Sequence, residues 1–72
     1  MKVYFTSDRE IVNYGNKAKS YIGQPPPMEV RRWLDITPGG NCIILWNWGQ
    51  PMTFDVFFER EDDMLLFKLT WG

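Results

Sequence analysis

The hydrophobic pattern begins as a strand and then changes to a helical period. Residues 2–6 are β-branched and aromatic, which favours a strand. Ser7 and Glu10 have the spacing of a capping box at the start of a helix. Apolar residues then recur at steps of three and four, and Gly23 follows at a position typical of a helix end. We therefore predict an amphipathic helix over residues 11–22, with apolar positions at Ile11, Tyr14, Ala18, Tyr21 and Ile22.

Prolines separate this helix from the next segment. Residues 24–27 read Gln-Pro-Pro-Pro, which we interpret as a stiff polyproline II connector. Residues 28–36 have two interpretations. The alternation of Val30, Arg32, Leu34 and Ile36 suits a strand, whereas apolar residues at steps of three and four suit a helix. We prefer a helix of one or two turns, since Pro27 fits its first position. The helical side would carry Val30, Trp33 and Leu34. A turn rich in glycine follows at residues 37–41.

The rest of the chain predicts three strands. Residues 42–48 are dense in strand-forming residues, and residues 52–59 and 64–71 alternate apolar and polar positions. The charged residues 60–63 are typical of a turn between the last two strands. Because short connections join antiparallel neighbours, these strands form a meander.

Together the elements predict an α+β fold in the order β-α-short α-β-β-β. We expect a small antiparallel sheet of about four strands with one amphipathic helix packed on one face. Seventy-two residues make one domain, and a chain of this length buries comparatively little surface on its own. Four Trp, five Phe and three Tyr supply the apolar mass that such a core needs.

No residue pattern indicates catalysis. The chain has no histidine, which is the commonest general acid or base, and its single cysteine, Cys42, therefore has no histidine to activate it. Zinc sites also draw on cysteine and histidine, and the acidic run at residues 61–63 lacks the glycine and spacing of a calcium loop. We expect a non-enzymatic protein with no cofactor and no metal site.

The composition also bears on location and partners. Residues 1–5 lack an apolar run long enough for a signal peptide, and no stretch approaches the ~20 apolar residues of a membrane span. A lone cysteine fits a reducing compartment, so we expect a cytoplasmic protein without a membrane partner. The net charge of −1 disfavours nucleic acid as a partner.

The charges are unevenly distributed along the chain. Residues 1–33 hold six basic and three acidic residues, whereas residues 34–72 hold two basic and six acidic residues. Either the two halves attract each other in the fold, or the surface has a basic side and an acidic side.

Three candidate binding surfaces follow from this pattern. The second face of the predicted meander would carry an apolar patch with a charged rim, the anatomy of a protein interface. The patch is Leu45, Phe57 and Leu66, and the rim is Asp55, Glu59 and Lys68. A second surface, Arg31-Arg32-Trp33, suits an anion or a stacked base, unless the arginines pair with the acidic half. The third is an acidic segment that suits a basic groove: Glu61, Asp62 and Asp63.

These observations favour a small protein-binding module. The size class includes stand-alone inhibitors of macromolecular targets, such as immunity proteins and phage or mobile-element counter-defence proteins. Two alternatives stay open. One is a module that binds single-stranded nucleic acid. The other is a structural subunit of a homo-oligomer, for which a homodimer through the Phe57 face would enlarge the core.

Overall fold

The computed structural model describes residues 2–12, 14–22 and 27–72, which form four strands and two helices. A short 3-10 helix, Arg9–Ile11, follows the first strand. The α+β class and the number of strands agree with the prediction, but the order of the elements does not. In chain order the elements are β1 (Val3–Thr6), β2 (Asn16–Ile22), α1 (Met28–Ile36), β3 (Cys42–Asn47), β4 (Thr53–Phe58) and α2 (Glu61–Trp71).

The four strands form one mixed sheet in the order β1-β3-β4-β2. β1 runs parallel to β3, with Val3 opposite Cys42, whereas β4 is antiparallel to both β3 and β2. The prediction of a purely antiparallel sheet is therefore wrong. The short connection between β3 and β4 does give antiparallel neighbours, but β1 meets β3 only after β2 and α1, and this long crossover allows parallel pairing.

Both helices pack on the same face of the sheet. α1 contributes Val30 and Leu34, and α2 contributes Phe67, whose ring centroid lies 5.4 Å from that of Phe58. Burying such side chains is the main source of stability in a domain of this size. The buried cluster comprises Val3, Val30, Leu34, Cys42, Ile44, Phe54, Val56, Phe58 and Phe67.

The predicted helix over residues 11–22 is wrong, because most of this segment is β2. Asp8, rather than Ser7, caps the short 3-10 helix, and its carboxylate accepts a hydrogen bond from the Glu10 amide at 2.9 Å. A β-bulge between Lys17 and Lys19 shifts the register by one residue. Ala18 and Tyr21 therefore both pack against the core although they are three residues apart, a spacing that suggests a helix. The predicted helix end at Gly23 and the prolines at positions 25 and 26 lie outside the described residues.

The predicted strand over residues 64–71 and the predicted turn at residues 60–63 are also wrong. α2 begins at Glu61 and continues to Trp71. Three acidic residues in its first turn interact favourably with the positive end of the helix dipole. The next residues are mostly good helix formers, among them Met64, Leu65, Leu66 and Lys68.

The prediction of a short helix for residues 28–36 is confirmed by α1, and the two central strands are confirmed by β3 and β4. No helix of the described residues has the length and apolar character needed to cross a membrane.

Candidate functional site

The outward side of α2 is apolar. Leu65, Leu66 and Leu69, which we call the leucine stripe, expose 50%, 43% and 86% of their surface. Residues four apart lie one turn above each other, so Leu65 and Leu69 form one ridge with Leu66 beside it. On the opposite side of the helix, Phe67 is fully buried. α2 therefore has two apolar sides, and the sheet covers only one of them.

The acidic residues around the start of α2 divide into two groups. Asp63 is buried, and its two carboxylate oxygens accept hydrogen bonds from the amides of Gly39 and Gly40 at 3.1 and 3.0 Å. Glu59 accepts a hydrogen bond from the Asn41 amide at 3.3 Å. These two carboxylates hold the loop between α1 and β3.

Glu61 and Asp62, by contrast, are exposed. Asp62 forms a surface ion pair with Arg60 at 3.2 Å, and such exposed pairs contribute little to stability. Of the three residues of the predicted acidic segment, Glu61 and Asp62 are therefore accessible, whereas Asp63 has a structural role. The two exposed carboxylates lie one turn before the leucine stripe on the same helix.

The predicted patch of Leu45, Phe57 and Leu66 is not assembled. Leu45 and Phe57 lie on the sheet face opposite the helices, where Leu45 is 2% exposed and Phe57 is half-buried. Leu66 belongs to α2 on the other side of the sheet. The patch required residues 64–71 to form the third strand of the meander, but these residues belong to α2.

Asp55 lies on the same sheet face as Phe57 and is buried. It accepts hydrogen bonds from the Ser20 hydroxyl and from Nδ2 of the Asn47 side chain, and its Oδ1 lies 3.6 Å from the Lys17 ammonium. Burial by itself raises the pKa of Asp55, but these hydrogen bonds and the Lys17 charge outweigh it, so the pKa is lowered. Asp55 therefore joins β2, β3 and β4 and does not form an exposed rim.

The Arg31-Arg32-Trp33 segment lies on α1, with both arginines exposed. The Arg31 guanidinium lies over the Phe5 ring, 4.5 Å from its centroid. Trp33 is half-buried and packs edge-on against Phe67 at a centroid distance of 5.6 Å. Its ring thus forms part of the core layer, where a stacked base has poor access. No salt bridge within the described residues involves either arginine.

Cys42 is fully buried in the core and forms no disulfide. Burial raises the pKa of its thiol to about 12. Because the thiolate is the reactive form of cysteine, this thiol is unreactive near neutral pH. Among residues 2–12, 14–22 and 27–72, no group of three or more cysteine, aspartate or glutamate side chains is arranged to hold a metal ion.

An open cavity of about 360 Å³ lies beside β1, and we call it the β1 cavity. Its wall is mostly apolar and includes residues from the connection that follows β1. Burial and then the nearby Glu59 carboxylate raise the pKa of Tyr14, so its phenol stays neutral at physiological pH. The lining residues are Tyr4, Phe5, Thr6, Ile11, Tyr14 and Ile43.

Sequence reasoning selected Leu66 but missed Leu65 and Leu69, and it missed the β1 cavity. A helical projection of residues 61–71 would have placed Leu65, Leu66 and Leu69 opposite Phe67. The β1 cavity had no comparable signal, because it depends on the chain between β1 and β2 crossing the sheet face that carries Tyr4 and Ile43.

The fold and these surfaces define a small α+β protein with a mixed four-stranded sheet, an exposed leucine stripe and the β1 cavity. Comparison with models of known families, with curated proteins and with solved structures finds no match in any of the three.

Proposed function

We propose that the protein is a small non-enzymatic protein-binding module that inhibits a macromolecular target by inserting α2 into an apolar groove. The observation that carries this proposal is the leucine stripe, three exposed leucines on one helix whose other side is buried in the core. Full burial of a leucine is worth about 1.5–3 kcal/mol, and Leu69 retains most of its accessible surface. Helices that bind in grooves use apolar anchors at this spacing.

The exposed carboxylates of Glu61 and Asp62 define the complementary chemistry of the groove. They precede the stripe by one turn, so a target with basic residues at one end of its groove fits both features. Charge complementarity of this kind steers association and fixes orientation. Grooves with a basic rim commonly hold an anionic ligand such as nucleic acid, and occupation by α2 would block that ligand.

A nucleic-acid-binding role has less support. Among the described residues, two aromatic rings lie beside the exposed arginines of α1. The Trp33 ring packs against Phe67, and the Arg31 guanidinium covers the Phe5 ring. The net charge of −1 also weakens attraction to a phosphate backbone. We therefore favour a protein partner.

The test compares two matched substitutions in a quantitative pull-down from lysate of the native host. Leu69→Lys removes the most exposed leucine, and a lysine in the last turn suits the helix dipole. Ile36→Lys is the control, because Ile36 is 70% exposed and also lies in the last turn of its helix. Circular dichroism checks that both variants are folded. We expect Leu69→Lys to lose a stoichiometric partner that the native protein and Ile36→Lys retain.

Two results would contradict the proposal. In the first, Leu69→Lys recovers the same partner in the same amount as the native protein. In the second, light scattering shows that the native protein is a dimer and that Leu69→Lys is a monomer. The leucine stripe would then bind a second copy of this chain, and the protein would be a structural subunit.

A further inference from the structure

β1 lies at the edge of the sheet, so one side of its main chain has no neighbouring strand among the residues that the structure describes. The Cys42 amide donates to the Lys2 carbonyl, and in a parallel ladder this fixes which residues face β3. Lys2, Tyr4 and Thr6 direct their main-chain groups toward β3. Val3 and Phe5 direct theirs outward, and nothing in the described part of the chain forms a hydrogen bond with these groups.

The two edges of the sheet differ in how they resist pairing with another strand. β2 carries two lysines and a bulge, which are typical protections against edge-to-edge association. β1 reads Val-Tyr-Phe-Thr and has no charge, no proline and no bulge. The outer edge of β1 is therefore the better template for an added strand, although its four residues limit the pairing to a short segment.

The two sides of this edge have different chemistry. Tyr4 pairs with Ile43 on the face opposite the helices, where both residues line the β1 cavity. Phe5 points to the helix face, where Arg31 lies over its ring without an ion pair among the described residues. Because successive side chains of a strand point to opposite faces, an added strand would place one residue at the cavity and the next at Arg31.

We propose that the outer edge of β1 binds an extended peptide segment of a partner protein in which apolar and acidic residues alternate. The Val3 and Phe5 main-chain groups would hydrogen-bond to the peptide backbone, the β1 cavity would take an apolar side chain, and Arg31 would pair with a carboxylate. Addition of a strand to a sheet edge is a common mode of peptide recognition. This site is separate from the leucine stripe and does not depend on the function proposed for it.

The charges favour an acidic peptide over a second copy of this chain. A second β1 would bring its own Arg31 to the shared edge, and like charges across a strand pair are unfavourable. An acidic peptide would instead neutralise Arg31.

The experiment is an NMR titration of the full chain with capped seven-residue peptides. One peptide alternates leucine with aspartate, and the matched control alternates leucine with lysine. We expect the aspartate peptide to shift the amide signals of Val3 and Phe5 and to slow their hydrogen exchange. We expect the lysine peptide to bind about fivefold or more weakly, because it places a like charge beside Arg31.

Two variants sharpen the test. Phe5→Pro removes an outward N–H that the β3 ladder does not use, and proline is tolerated at such edge positions. We expect this variant to stay folded and to lose the aspartate peptide. Phe5→Ala removes the same ring but keeps the N–H, so it should bind the peptide more tightly than Phe5→Pro does. Arg31→Glu reverses the local charge on an exposed side chain, so we expect this variant to prefer the lysine peptide. This second test is independent of whether Phe5→Pro folds.

Three results would overturn the proposal. The first is that neither peptide shifts the β1 signals. The second is that both bind equally well to the native protein and to Arg31→Glu. The third is that Val3 and Phe5 signals shift with protein concentration in the absence of peptide, which would identify a second copy as the occupant.

Discussion

The two helices share one face of the sheet, yet their outward sides differ. α1 buries Val30 and Leu34 and exposes charged residues such as Glu29 and Arg32. α2 buries Phe67 and exposes the leucine stripe. Folding accounts for the apolar residues in the middle of α1, whose only exposed apolar residues are the end residues Met28 and Ile36, whereas the leucine stripe of α2 contributes little to the buried core. Monomeric proteins seldom expose contiguous apolar surface without a use for it.

The largest expected effect is a difference in the free energy of unfolding between substitutions on the buried side and on the outward side of α2. Phe67→Ala removes a fully buried ring that contacts Trp33 and Phe58, so we expect a loss of about 3–5 kcal/mol in the free energy of unfolding. Leu69→Ala, on the outward side, should change that free energy by less than about 0.5 kcal/mol. Urea denaturation followed by tryptophan fluorescence measures both values. If Leu69→Ala also lost several kcal/mol in the free energy of unfolding, the leucine stripe would support the fold. The outward side of α2 would then not differ from that of α1 in the way described above.

The difference between the helices also explains which elements could be predicted from the sequence. α1 was recognisable because Val30, Trp33 and Leu34 have helical spacing and the intervening residues are charged. α2 was mistaken for a strand because Leu65, Phe67, Leu69 and Trp71 are apolar at every second position. The alternation arises because Leu65 and Leu69 lie on the outward side of the helix, whereas Phe67 and Trp71 lie on the side that faces the core. Two of the residues that obscure the helical period, Leu65 and Leu69, thus belong to the exposed leucine stripe.

β2 was obscured by a different cause. Its bulge places Ala18 and Tyr21 on the same face at helical spacing, and a bulge depends on pairing with β4, which a local pattern does not contain. The central strands β3 and β4 were predictable because their short connection and dense strand-forming residues are local features.

The candidate site was predicted only in part. Glu61, Asp62 and Leu66 were selected as partner-binding residues from their charge and apolar character, and the structure exposes all three on α2. Leu45, Asp55 and Asp63 were selected on the same grounds and are buried. Whether a side chain is exposed depends on the strand register and on the contacts of the loops, and a one-residue shift exchanges the two faces.

An intermediate effect is expected from the acidic residues at the start of α2. Asp63→Asn replaces a carboxylate that accepts two amide hydrogen bonds by a group with one acceptor oxygen, so we expect a loss of about 1.5–3 kcal/mol. Asp62→Asn disrupts only an exposed ion pair and should cost less than about 0.5 kcal/mol. Thermal or urea unfolding of both variants measures the difference. Equal losses would show that Asp63 does not hold the Gly39–Gly40 loop.

The smallest expected effect is a difference in acid stability between two variants, one in the sheet (Asp55→Asn) and one at the start of α2 (Asp62→Asn). The pKa of Asp55 is lower in the folded protein than its ordinary value of 3.8, so its carboxylate stabilises the fold above that pH. This contribution is lost as the pH falls below 3.8 and through the lower folded pKa. We expect Asp55→Asn to be less stable than the native protein at neutral pH and to lose less of its stability between pH 5 and about pH 2. Asp62→Asn is the control, because it also removes one carboxylate but leaves the contacts of Asp55 in place. If Asp62→Asn flattened the acid response and Asp55→Asn did not, the acid-sensitive contacts would lie on the outward side of α2, and the distinction between its structural and its partner-facing residues would have to be revised.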